Sequence, residues 1–328
     1  MKTSGRLSAL CAYVASLAGY APAIGIGATL LLLGGSGGAI AAGPGPDACK
    51  DCHADAVAYY AASVHGQKGN LKGPAAAGEC STCHGDATAH VKAGGGRGVG
   101  GIKNPGSKTM APDDKNATCL SCHAGGSKRM HWEGSTHQAR GTACTSCHTM
   151  HSTDKVLTKL TQPEVCFACH KQQRAEVNRT FRHPIVEGKV ACSDCHNPHG
   201  SIARALMKRD SVVDTCYQCH AEKRGPFVHS HDPVNEDCTL CHNPHGTVAD
   251  SMLKVRPPFL CHQCHTPHGG QIAQLRGQGQ SSALLSATTS GKNGINYTQG
   301  RGCLNCHTQV HGGNNPSFTN PTPQFMLR

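Results

Sequence analysis

Hydrophobic positions are massed once, at the start of the chain. Lys2 and Arg6 precede an apolar, Gly- and Ala-rich stretch from Leu7 to about Leu33, followed by Ala39-Ile40-Ala41. A basic start, an apolar run and small residues at a cleavage position are the layout of a secretory signal. Residues 1–41 are expected to be removed, so that the mature chain starts near Ala42. The run could also span a bilayer, which takes roughly 20 apolar residues, so an uncleaved anchor is the competing reading. Cys11 lies early in the run rather than beside a cleavage site and reads as a spectator of the signal. No twin-arginine pair is present, which points to general export.

Beyond residue 41 the chain is organised by a repeated phrase, Cys-x-x-Cys-His, seen most clearly in Cys192-Ser193-Asp194-Cys195-His196-Asn197-Pro198-His199-Gly200. It is the attachment sequence of haem c. Two thiols add to the two vinyl groups of one macrocycle, and the adjacent histidine is held beneath the iron as proximal ligand. The thioether candidates are Cys49 and Cys52, Cys80 and Cys83, Cys119 and Cys122, Cys144 and Cys147, Cys166 and Cys169, Cys192 and Cys195, Cys216 and Cys219, Cys238 and Cys241, Cys261 and Cys264, and Cys303 and Cys306. The proximal candidates are His53, His84, His123, His148, His170, His196, His220, His242, His265 and His307. Of 21 cysteines, 20 fall in these motifs, which leaves none for a disulfide framework. Zinc sites also use Cys-x-x-Cys but do not require a histidine at one fixed offset ten times. The expected cofactor is therefore ten covalently bound haem c groups.

Thirteen histidines remain, enough to fill every sixth coordination position. One set precedes alternate motifs: His65, His137, His183 and His231. Another closely follows a motif: His90, His151, His199, His245, His268 and His311. These ten are the candidate distal ligands. A histidine three residues after a proximal one cannot easily reach the far face of the same haem, so it should serve a neighbouring haem. His229 rivals His231, and His131 and His262 are left for structural roles or for bonding propionates. Methionine ligation would raise a haem's potential, but the histidines suffice. Bis-histidine iron is closed to substrate on both faces, which suits an electron carrier and not a redox enzyme.

Only 4% of residues are aromatic and 40 are glycine, a composition poor in the side chains that fill cores. The haems must supply the core instead. The expected fold is a multihaem cytochrome c with little regular secondary structure, in which short helices and loops wrap around an extended haem array. The formal charge of +11 invites a nucleic-acid reading. Haem propionates, about twenty for ten haems, offset it, so Lys and Arg read as propionate partners and solvated surface, with no nucleic acid as partner. Gly96, Gly98 and Gly101 match Gly-x-Gly-x-x-Gly without a preceding strand and read as a loop.

Motif starts from Cys119 to Cys261 are separated by 25, 22, 26, 24, 22 and 23 residues. A two-haem unit thus recurs about every 46 to 50 residues, as from Cys144 to Cys192 and from Cys192 to Cys238. Such a period marks stacked units that cannot bury themselves alone. The expected organisation is residues 1–41 as signal, 42–268 as repeated two-haem units with haems one to nine, 269–300 as a Gly/Ser/Gln-rich linker, and 301–328 as haem ten and a tail. The linker would let the last haem lie away from the array.

With ten motifs, Trp132-Glu133-Gly134-Ser135-Thr136-His137 ahead of Cys144, and Cys-His-Asn-Pro-His-Gly at Cys195 and Cys241, residues 47 to 311 resemble a known family. It is that of the decahaem periplasmic cytochromes of porin–cytochrome conduits, of the Mtr, Mto and Pio type, with the related Dms decahaem proteins. The resemblance implies a haem wire entering an outer-membrane β-barrel, in the periplasm, between periplasmic or inner-membrane cytochromes and a cell-surface cytochrome. It implies extracellular electron transfer, as metal reduction or iron oxidation. A soluble periplasmic shuttle to a terminal reductase is the alternative, and a multihaem redox enzyme the third reading.

Overall fold

The computed structural model describes residues 43–265, 303–305 and 307–314. Most of the described motifs are a single helical turn. The histidine amide donates to the carbonyl of the first cysteine at 2.9–3.0 Å in the motifs beginning at Cys80, Cys144, Cys166, Cys192, Cys216, Cys238, Cys261 and Cys303. In an α-helical turn, positions one, four and five lie on one face, so both cysteines and the histidine face the same side.

Two motifs lie within longer helices. Pro46–Ala62 (α1) starts with proline in its first turn beside Asp47, and its backbone breaks from helical geometry at His53, where the motif ends. Pro112–His123 (α2) likewise starts with proline, Asp113 and Asp114 and ends on its motif histidine. Proline loses no helical hydrogen bond at the first position, and acidic groups there favour the helix dipole.

The rest is short helical turns and loops. Among the described residues the paired strands are His229–Ser230 (β1) and Gly312–Gly313 (β2), two residues each and antiparallel. No helix of the described residues is long and apolar enough to cross a membrane.

The apolar core is correspondingly small. Phe167, Val177 and Ile185 form one buried cluster, with Val190 packed against it. Several of the other buried apolar residues are alanines: Ala87, Ala143, Ala191 and Ala249. A chain of this length with so little buried side-chain surface cannot offset its conformational entropy by its own packing. The fold is that of a multihaem cytochrome c.

The period seen in the sequence is a structural repeat. His196 bridges Met207 and His242 bridges Leu253, while Lys208 N donates to Cys195 O and Lys254 N to Cys241 O, each at 2.8 Å. In both units two consecutive non-glycine residues adopt left-handed backbone, Ala205 and Leu206 in one, Ser251 and Met252 in the other. Every one of these positions recurs 46 residues later.

The stretch 269–300 lies outside the described residues, but the motif beyond it does not stand away from the array. The β1–β2 pair and a 2.9 Å bond from Val228 N to the Asn314 side chain tie residues 312–314 to the segment ahead of the eighth motif. The stacking of Gly312 against the Phe227 ring, where a side chain would not fit, explains the close approach.

Candidate haem-binding array

A continuous cavity of about 5250 Å³ runs along residues 49–311, lined by cysteines and histidines of all ten motifs. A ligand pocket usually measures about 300–1000 Å³, so this is space for a series of large groups.

Across it, histidine rings face each other in nine pairs. His53 faces His90 with ring centroids 6.5 Å apart, His65 faces His123 at 6.0 Å, and His84 faces His151 at 6.0 Å. His137 faces His170 at 6.2 Å, His148 faces His199 at 6.1 Å, and His183 faces His220 at 6.1 Å. His196 faces His245 at 6.1 Å, His231 faces His265 at 6.0 Å, and His242 faces His311 at 6.0 Å. Each pair joins one proximal candidate to one distal candidate. Of the tenth set, His268 and Cys306 lie outside the described residues.

The separation is informative. Rings in contact would be closer, whereas a metal bonded to an imidazole nitrogen on each side at about 2 Å sets ring centroids about 6 Å apart. Among the described residues no group of three or more His, Cys, Asp or Glu side chains could hold a bare ion. Two opposed imidazoles with two thiols alongside fit a metal whose other four ligands come from a macrocycle. Burial lowers the pKa of His123, His151, His199, His245 and His311, and a facing histidine adds to the shift. That favours the neutral form, which is the one that ligates.

The pairing follows a rule. The third, fifth, seventh and ninth motifs face His65, His137, His183 and His231, all earlier in the chain than the motif they face. The second, fourth, sixth and eighth face His151, His199, His245 and His311, each trailing the motif two places further on. The sequence expectation of service to a neighbouring haem thus becomes a reach of two motifs. Interleaving of the two series makes this possible, because the motif between is faced from the other direction.

Cysteine contacts set the order of the motifs. First cysteines touch within successive pairs, Cys49 with Cys80, Cys119 with Cys144, Cys166 with Cys192, Cys216 with Cys238 and Cys261 with Cys303. Between pairs the second cysteines lie near each other, Cys83 to Cys122, Cys147 to Cys169, Cys195 to Cys219 and Cys241 to Cys264. The ten motifs therefore follow one another in space as in sequence, through two alternating junctions.

Backbone groups orient the rings. Nδ1 of His84, His90, His137, His151, His183, His196 and His242 meets a carbonyl oxygen at 2.7–3.2 Å. A donor at Nδ1 leaves Nε2 as the ligating nitrogen. For His196 and His242 the carbonyl belongs to Ala205 or Ser251 in the left-handed turn, which explains that turn. For His137 and His183 it belongs to Pro198 or Pro244, so the Pro-His-Gly units act twice: proline holds one pair and the next histidine enters another. Asn197 and Asn243 accept the amides of His199 and His245 at 3.2 and 3.1 Å, closing a tight turn.

Gly200 and Gly246 complete that turn with φ of +115° and +137°. A side chain there would run into the carbonyl oxygen of His131 or of Glu176. The left-over His131 is thus placed by its main chain, and the His262 ring lies edge-on to Phe259 at 6.5 Å. His229 lies in β1, and His231 is the one that faces His265.

Two acidic residues had no signal in the sequence. Asp154 Oδ2 accepts from His148 Nδ1 at 2.8 Å. Buried Glu176 lies with Oε2 3.3 Å from His245 Nδ1 and receives Gln172 Nε2 at 3.0 Å. Burial alone would raise the Glu176 pKa, but bonds from Gln172 and Asn243 and the nearby His245 and Arg179 hold it below the ordinary value.

A doubled CXXCH motif matches residues 183–225 and 231–270, and a model described as cytochrome c-type protein NrfB-like matches residues 80–164. The chain is a multihaem c-type cytochrome, with covalently bound haem c as its cofactor. Over 212 residues, 64% of this chain, it is 50% identical to the multiheme cytochrome MtrA of Shewanella baltica (strain OS185). The chain spans 61% of the length of that curated relative.

Proposed function

We propose that this protein is a decahaem electron-transfer cytochrome whose haems, each between two axial histidines, form a wire in sequence order. The observation that carries this is the series of nine histidine pairs with centroids 6.0–6.5 Å apart, joined by alternating cysteine junctions. When bound, each haem supplies one iron that exchanges a single electron. The chain's own residues fix how many there are, their order and the closure of both iron faces. His307 with His268 makes the tenth pair in this reading. Iron closed on both faces offers no position for a substrate, so the protein is a carrier and not a catalyst.

The place of action rests on the similarity to MtrA and on the Mtr, Mto and Pio resemblance of the motifs. The signal of residues 1–41 delivers the chain to the periplasm, where it associates with an outer-membrane β-barrel and passes electrons between periplasmic cytochromes and the cell surface in extracellular electron transfer.

Haem quantitation on the purified chain should give ten per polypeptide, with low-spin ferric signals and no high-spin component. A high-spin iron would overturn the carrier reading in favour of an enzyme. Crosslinking in outer membranes should recover a β-barrel in fixed stoichiometry with this chain. Recovery only as a free periplasmic protein would overturn the conduit and leave the soluble shuttle.

A further inference from the structure

The histidine pairs are not electrostatically alike. Carbonyl oxygens meet Nδ1 in most of them, but His148 and His245 meet carboxylates. His148 belongs to the fourth motif, and Asp154 Oδ2 lies 2.8 Å from its Nδ1. The Asp154 side chain is 11% exposed, and its other oxygen accepts from Val156 N at 3.3 Å. The loop explains the substitution. In the sixth and eighth motifs the chain reaches nine residues past the histidine before a carbonyl turns back to Nδ1, at Ala205 and Ser251. In the fourth it closes six residues on, through a side chain.

His245 faces the sixth motif's His196. Glu176, at the end of the helix Lys171–Glu176, is 6% exposed, with Oε2 3.3 Å from Nδ1 and Oε1 receiving Gln172. The Glu222 oxygen near His220 is different, 3.7 Å away on an exposed side chain, beyond hydrogen-bond reach and open to screening.

A carboxylate that accepts the Nδ1 proton of a metal-bound imidazole draws that proton toward itself and makes the ring a stronger donor at Nε2. A stronger donor favours the ferric over the ferrous state, and hydrogen bonding around the ligands is one of the protein's levers on haem potential. Neutral carbonyls give less of this effect. We infer that Asp154 and Glu176 are redox-tuning positioning residues, which hold the fourth and sixth haems at lower potential than the carbonyl-bonded haems of the same array. This deepens the proposed wire and rests on its axial histidine pairs. The fifth haem then lies between two sites that resist reduction, so the middle of the wire is stepped and not level.

The test uses the full haem-loaded protein and its Asp154→Asn, Glu176→Gln and double variants, with Glu222→Gln as control. Redox titration followed by low-temperature EPR should show one haem's share of the curve moving to higher potential in each single variant and two shares in the double. The low-spin signal of the same iron should change, with haem content unaltered and no shift in the control. Superimposable titrations with full haem content would overturn the inference while leaving the axial pairs intact. Absence of bis-histidine low-spin signals in the unsubstituted protein would instead sink the pairs themselves. High-spin iron or haem loss in both single variants would assign the carboxylates to ligand retention and overturn tuning.

Discussion

The two interleaved series of motifs are built on different devices. Histidines that trail a later motif sit in tight turns, and their rings lie within 9–23° of the plane of the ring they face, as does the His53–His90 pair. Histidines that come from upstream make angles of 80°, 81°, 53° and 29°. In the first case two of the histidines, His199 and His245, are locked by their own neighbours, asparagine before and glycine after. In the second the histidine is a longer tether, steadied at His137 and His183 by a ring bond to Pro198 O at 2.7 Å and to Pro244 O at 2.8 Å. One chain thus holds one kind of site in two ways, by local rigidity and by reach.

Withholding haem should erase the difference altogether. With so few buried apolar residues to hold the described chain, the haem-free form should lose most of its helical circular dichroism and its resistance to proteolysis, as metal-dependent domains do without metal. A haem-free chain with native-like circular dichroism would break the account of both series.

Next in size are the ligand changes. His199→Ala and His137→Ala should each open one iron, the fourth in the first case and the fifth in the second, read as one new high-spin signal of equal intensity. Because Pro198 also holds His137, the double variant should fall short of or exceed the sum of the two losses of thermal stability, which a double-mutant cycle would read as coupling. Simple additivity would show the two series to be independent.

Gly246→Ala tests local rigidity alone. The left-handed backbone and the Glu176 carbonyl leave no room for a methyl group, and the strain should cost about 1–3 kcal/mol in chemical denaturation. It should broaden the signal of the sixth haem and spare the fifth. The smallest effect belongs to Asp194, whose carboxylate accepts from Lys159 Nζ at 2.8 Å and from Ala191 N at 2.9 Å. Burial opposes ionisation there, but these partners hold the pKa below its ordinary value. Its stabilisation is therefore present above the unfolded carboxylate value of about 3.9 and fades as pH falls through the lower folded value. For so exposed a pair, Asp194→Asn should cost no more than about 0.5 kcal/mol near neutrality, and less as pH falls through the folded value.

Much of this was legible in the sequence because covalent chemistry leaves fixed spacings. Cys-x-x-Cys-His announces its own helical turn, and the recurrence from Cys192 to Cys238 announced the structural repeat. The distal histidines could be chosen by position, yet not assigned, since nothing local tells His199 to reach back past the fifth motif to His148. Glu176 was invisible for the same reason: it meets His245 only after 69 residues of chain have folded back. The isolation expected for the last motif failed because a Gly-rich spacer limits nothing about where its ends return, and the two pairs His229–Gly313 and Ser230–Gly312 were enough to return it.

The direction of reach has a consequence for how the protein is made. If it is exported from the N-terminus, the third, fifth, seventh and ninth sites meet histidines that have already emerged, so each can be completed as soon as its haem is attached. The second, fourth, sixth and eighth must wait, because His151, His199, His245 and His311 emerge only after the motif two places later. Maturation then advances as a zip in which every new segment closes a site left open behind it, and a chain stopped early leaves its last even-numbered site unfinished.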